Sequence, residues 1–223
     1  MRLPSPEEIW KRHESLVLNV FIYALIELKK EKSLPIEEIP LNERLYLYIR
    51  RVYHKLPANK KPSSPSLVPN SENPPVEFDD IGKTWTRKKP DFRWTLYNSE
   101  ETDPLRAYKE YTIECKRLRI NGNFINEYVV NGIIRFLSQE YKYGNGTVSG
   151  AMIGYIQNME HKEALERING AILKTKEFEI PIIKFTKNLQ EKDSVKKGNH
   201  TLNRKKVNPS IFDLRHIWIE VTN

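Results

Sequence analysis

Asp91-Phe92-Arg93-Trp94-Thr95-Leu96-Tyr97 and, after a turn-rich gap, Tyr111-Thr112-Ile113-Glu114-Cys115-Lys116-Arg117-Leu118 decide how this chain folds. In the first run Phe92, Trp94 and Leu96 alternate with Asp91, Arg93 and Thr95. In the second, Tyr111, Ile113 and Cys115 alternate with Glu114 and Lys116. A period of two is the mark of a strand with one buried face. The residues between them, 98–104 (NSEETDP), are turn chemistry. Two strands joined in this way put their aromatic and aliphatic residues on one side. Asp91, Glu114 and Lys116 are left to converge on the other.

Helical spacing governs the flanks. Ile9, His13, Leu16, Val17, Val20, Phe21, Ala24 and Leu28 predict a deeply packed helix over 6–30, with Ser5 and Pro6 at its N-cap and first turn. Leu45, Ile49, Val52, Tyr53 and Leu56 predict a second helix over 42–55, capped by Asn42. Between Pro57 and Pro75 lie six of the fourteen prolines, which read as a loop. Beyond the two strands the pattern predicts a helix over 121–141 and a buried strand over 148–157. A helix over 160–174 and an edge strand over 178–186 follow. A basic, polar loop over 187–210 leads to a last strand over 212–221. This order predicts an α/β (α+β) fold, a central mixed sheet flanked by helices. The expected division is N-terminal helices 1–56 packing on the core, a Pro-rich loop 57–75, and an α/β core 76–223.

Composition limits the function. The 223 residues carry 37 Lys and Arg against 29 Asp and Glu, a net charge of +8. That excess favours a polyanionic partner, nucleic acid before an anionic membrane. Cys115 is the single cysteine, so neither a disulfide framework nor a CxxC zinc site is available within the chain. A reducing, cytoplasmic setting is expected. The longest apolar run, 16–28, is too short to span a bilayer, so no membrane role is expected. The five histidines show no metal spacing, and His13, in mid-stripe, reads as a core residue. No Walker A, GxSxG or dinucleotide fingerprint occurs.

Glu-x-Lys occurs four times, at 27–29, 114–116, 140–142 and 160–162. Only 114–116 falls on a strand and follows the one Pro-Asp pair, Pro90-Asp91. In this arrangement the segment resembles the PD-(D/E)xK phosphodiesterase superfamily, the restriction-endonuclease-like fold. The resemblance implies a Mg²⁺ (or Mn²⁺) ion held by Asp91, Glu114 and the backbone carbonyl of Cys115. Lys116 would orient the attacking water, and Glu14 would supply the acidic residue that some members carry on the first helix. It further implies an endonuclease, a hydrolase of DNA phosphodiester bonds, and a setting in restriction or antiviral defence. A duplex cutter would work as a homodimer or with an activating partner. The chemistry is coherent: two hard carboxylates can hold the ion that neutralises a phosphate.

Two basic clusters are candidates for gripping phosphates. Lys83, Arg87, Lys88, Lys89 and Arg93 surround Asp91. Lys196, Lys197, Arg204, Lys205 and Lys206 lie in the C-terminal basic stretch. Two other readings stand beside the nuclease. One is a catalytically silent nucleic-acid-binding or scaffolding subunit. The other is a protein-interaction module using Tyr46, Tyr48 and Tyr53.

Overall fold

The computed structural model describes residues 5–57, 89–97, 102, 107–175, 178–185 and 195–221. The bulk of the Pro-rich loop, the 98–104 turn apart from Thr102, and Lys83, Arg87 and Lys88 lie outside them.

Helix α1 (Pro6–Lys29) starts as its sequence predicts. Ser5 caps it through a reciprocal pair with Glu8, and Pro6 opens the first turn. Helix α2 (Glu38–Lys55) begins earlier than expected. Asn42 is therefore no cap. It sits within the helix, buried, with its amide turned towards the sheet. The residue at the N-cap position is Glu37, whose side chain makes no capping bond.

Among the described residues six strands follow, interrupted by helices: β1 (Phe92–Tyr97), β2 (Tyr108–Arg119), β3 (Ser149–Gln157), β4 (Lys184–Phe185), β5 (Val195–Asn203) and β6 (Ile211–Glu220). They form one mixed sheet in the order β1-β2-β3-β6-β5-β4. β1 runs antiparallel to β2, while β2, β3 and β6 are mutually parallel. β5 is antiparallel to both β6 and β4. The fold is α+β, a central mixed sheet with helices on both faces.

Two layers of core follow from the alternation. On one face Phe92, Trp94, Tyr111, Ile113, Cys115, Ile153 and Ile217 pack under α1 and α2. On the other, Leu118, Met152, Ile156, Leu214 and Trp218 pack under α3 (Ile125–Leu137) and α4 (His161–Lys174). α3 is the crossover between β2 and β3. It winds as a π-helix over Ile125–Ile133 and continues as an α-turn over Ile134–Leu137. Gly132 lets it lie close to the sheet: a Cβ there would stand 2.4 Å from the Met152 Cε and 3.7 Å from the Lys116 Cγ.

The C-terminal part departs from the sequence expectation. The predicted loop 187–210 contains β5, which lies between β6 and β4. Its Val195-Lys-Lys-Gly-Asn-His-Thr-Leu-Asn is too polar for a hydrophobic alternation to show. Pairing along all of β6 holds it, with His200 and Leu202 turned inward. The predicted strand 178–186 shrinks to Lys184–Phe185, because Pro181 has no N–H for a ladder.

Candidate functional site

β2 carries the site because it is two-faced. Tyr111, Ile113 and Cys115 go under α1 and α2, so Glu114 and Lys116 must emerge towards α3. The antiparallel register pairs Phe92 with Ile113, which brings Asp91, one step earlier, opposite Glu114. Asp91 is fixed at both oxygens. Oδ2 accepts the Cys115 N–H at 2.7 Å, and Oδ1 accepts the Asn42 amide at 3.0 Å. Asn42 is itself oriented by the Tyr155 hydroxyl, which donates to it at 2.9 Å.

Glu114 is 1% exposed. Its Oε1 accepts the Lys116 ammonium at 2.7 Å and the Arg135 guanidinium at 2.5 Å. Its Oε2 is buried and has no hydrogen-bond partner among the described residues. Burial first, and then the neighbouring charge of Asp91, push the Glu114 carboxyl up to about 7, against the pull of Lys116 and Arg135. Burial likewise raises Asp91, with Lys116 and the Cys115 N–H opposing.

Lys116 donates to three oxygens: Glu114 Oε1, the Cys115 carbonyl at 2.7 Å and Glu38 Oε1 at 3.1 Å. Burial works against its charge, but the carboxylates of Glu114, Asp91 and Glu38 outweigh it and hold the ammonium protonated. Glu38, from the first turn of α2, also accepts the Arg117 N–H at 3.1 Å. Arg135 reaches Glu114 from the end of α3 and lies over the Tyr141 ring at 5.0 Å.

The structure therefore gathers Asp91, Glu114, Cys115 and Lys116, and adds three residues that sequence reasoning missed: Glu38, Asn42 and Arg135. Glu38 and Asn42 sit one turn apart on α2, a spacing that carries no signal without knowing which face of α2 meets the sheet. Arg135 follows Gly132 by three residues, so both face the sheet, and that spacing on a predicted helix was the available clue.

Glu14 does not join them. It lies on α1, over the opposite face of the sheet, where Arg215 holds it at 2.9 Å and the Tyr111 hydroxyl reaches it at 3.4 Å. Parity is the reason: Tyr111 and Glu114 are an odd number of residues apart and point to opposite faces. His13 is buried within 3.4 Å of the Trp94 carbonyl.

The basic clusters resolve unevenly. Arg93 is buried and paired with Glu110, at 3.0 and 3.2 Å. Arg204 is 1% exposed. It donates to the carbonyls of Pro209, Tyr143, Gly144 and Thr147 and lies 4.0 Å over the Phe212 ring. It staples the turn before β3 to the loop before β6, so the expectation that it binds phosphate is corrected. Lys89 is exposed. Lys196 and Lys197 lie half-buried on β5, and Lys205 and Lys206 are exposed beyond it. Tyr53 packs edge-on against Trp94, and Tyr46 and Tyr48 are half-buried.

Among the described residues no three His, Cys, Asp or Glu side chains are grouped to hold one ion. The oxygens that could hold a cation here are the carboxylates of Asp91 and Glu114 and the Cys115 carbonyl. Glu114 Oε2 is a buried carboxyl oxygen with no hydrogen-bond partner among the described residues, and an all-oxygen set of this kind suits a hard divalent cation. Comparison with family models, with curated proteins and with solved structures finds no match.

Proposed function

We propose that this protein is a divalent-metal-dependent phosphodiesterase, a nuclease of the PD-(D/E)xK kind acting on DNA. The observation that carries the reading is Glu114: a fully buried carboxyl group with one oxygen that has no hydrogen-bond partner among the described residues, opposite the half-buried Asp91 carboxylate and beside a lysine that stays charged. A buried acceptor left unpaired is costly, and such groups concentrate at functional sites. Asp91, Glu114 and the Cys115 carbonyl would hold Mg²⁺ or Mn²⁺, which would neutralise the phosphate and ease departure of the leaving oxygen.

The chain's own residues have distinct parts. Asn42 and the Cys115 N–H fix the Asp91 carboxylate. Glu38 holds the Lys116 ammonium in place and keeps it charged. Lys116 is a cation here and not a base, so it orients water and stabilises developing negative charge. Arg135 offers a second cation on the same side. Cys115 is buried and its thiol is pushed up by burial, so it takes no part as a nucleophile and suits a reducing, cytoplasmic setting.

The test is incubation with plasmid, linear duplex, single-stranded DNA and RNA at low salt with Mg²⁺ or Mn²⁺, beside Lys116→Ala and Asp91→Ala. Cleavage lost in both variants supports the reading, and cleavage unchanged in both sinks it. A second reading, the silent nucleic-acid-binding subunit, is favoured by one observation: Lys116 and Arg135 already occupy Glu114 Oε1. Denaturation with and without Mn²⁺ separates the two. A site that binds raises stability by about 2.7 kcal/mol at a hundredfold excess over Kd, and a silent one does not.

A further inference from the structure

The inner side of α2 serves the site through Glu38 and Asn42. Its outer side carries a pattern that the site does not use. Arg44, Tyr48, Arg51 and Lys55 stand at i, i+4, i+7 and i+11, which places them in one stripe. The stripe runs for about 16 Å along the helix at 1.5 Å per residue. Arg44, Arg51 and Lys55 are exposed and Tyr48 is half-buried between them. The Arg51 guanidinium lies 5.2 Å over the Tyr48 ring, and the Tyr48 hydroxyl is anchored by Glu31 at 2.7 Å. Glu31 also pairs with Arg44, at 3.7 Å. Alongside, Arg50 lies 5.8 Å over Tyr46.

We propose that this face of α2 is a docking surface for a nucleic-acid strand, with Arg44, Arg51 and Lys55 on successive phosphates and the Tyr48–Arg51 stack against a base. Three cations in line with a flat aromatic and a flat guanidinium are the components of a single-strand platform: cations track the backbone and rings take the bases. An acidic protein surface would match the charge without using the stacked ring. A membrane would call for an apolar outer face, yet among the large apolar side chains of α2 only Ile39 and Leu47 are exposed. The surface is independent of the metal-site reading, although the same helix holds Asp91 and Lys116 from its other side.

The test is fluorescence anisotropy of a labelled 20-nucleotide single-stranded DNA in EDTA, titrated from 50 to 300 mM NaCl. The wild type is compared with Arg44→Ala/Arg51→Ala/Lys55→Ala, with Tyr48→Ala, and with Lys162→Ala/Lys174→Ala on α4 as a control. The triple variant should bind at least tenfold more weakly, and its plot of log affinity against log salt should flatten by about 2, at 0.7 per lost phosphate contact. Tyr48→Ala should lose about fivefold or more, and the control should match the wild type. Circular dichroism and thermal melting check the fold. Should the triple variant unfold, the single changes Arg51→Gln and Lys55→Gln replace it.

Equal affinity and slope in wild type and stripe variants would overturn the proposal, as would a wild type with no salt-dependent binding. Phosphatidylserine vesicles or polyglutamate bound as tightly as DNA would overturn the choice of partner. EDTA removes cleavage from the measurement. A wild type that binds through the stripe but never cuts refutes only the metal reading, and one that cuts with the stripe idle refutes only this one.

Discussion

His200 and His216 make the protein acid-sensitive in a way that can be sized. Both rings are buried between β5 and β6, 5% and 0% exposed, and they meet edge to face with centroids 4.8 Å apart. Burial pulls His200 down to about 4 from an ordinary 6.5. Burial and the neighbouring His200 pull His216 down further. The unfolded chain therefore takes up protons below pH 6.5 that the folded chain refuses. Stability is full above that pH and falls as pH drops from about 6.5 towards 4. At 1.36 kcal/mol per unit, His200 alone removes about 2 kcal/mol between pH 7 and pH 5. His216 acts in the same direction.

Glu114 acts oppositely. Its folded carboxyl holds a proton up to about pH 7 that the unfolded one releases near 4.5, so its contribution grows as pH falls. Urea denaturation of the wild type alone would mix the two. Denaturation of wild type and His200→Leu at pH 7 and pH 5 separates them, because Glu114 is common to both. The wild type should lose about 2 kcal/mol more than the variant over that interval. Equal losses would refute the claim that the buried imidazole is held neutral.

Gly132→Ala should cost about 1–3 kcal/mol, because the new methyl meets Met152 in a filled core, and Met152→Ala in the same chain should recover part of it. Chemical denaturation measures both. Glu14→Gln should cost about 1–2 kcal/mol by the same assay, since Arg215 is partly exposed and screened. Any nuclease activity should survive that change, which a role for Glu14 in the metal site would forbid. Arg204→Met should cost about 2–3 kcal/mol by the same assay, because the carbonyls of Pro209, Tyr143 and Thr147 lose their guanidinium donor. It should leave DNA affinity, read by anisotropy, where it was.

The pairing of β1 with β2 was legible because alternation in both runs is strong and the side of each residue follows from parity alone. The same parity separates Asp91, Glu114 and Lys116 from the core. α1 was legible from its cap and stripe. Three features were not. β5 is held by its neighbours and not by its own hydrophobicity. Arg204 looks like surface charge, and only the turns around it supply the carbonyls that bury it. Glu38 reaches Lys116 from a helix separated from β2 by the Pro-rich stretch, a long-range contact that leaves no mark in local spacing. The acidic position on α1 misled for a related reason. A carboxylate on a first helix is easy to find, whereas the face over which that helix lies is a tertiary fact.

The winding of α3 sets a limit on how this chain can change in length. A nine-residue π-helical stretch accommodates more chain per turn than an α-helix would, and such widened turns cluster at functional positions. Removing one residue from it without a compensating change of winding would rotate everything downstream by about 100° relative to what precedes it. Either Tyr128 would leave its place beside His216 and Trp218, or Arg135 would swing away from Glu114. The segment thus tolerates substitution on its outer side far better than it tolerates a deletion.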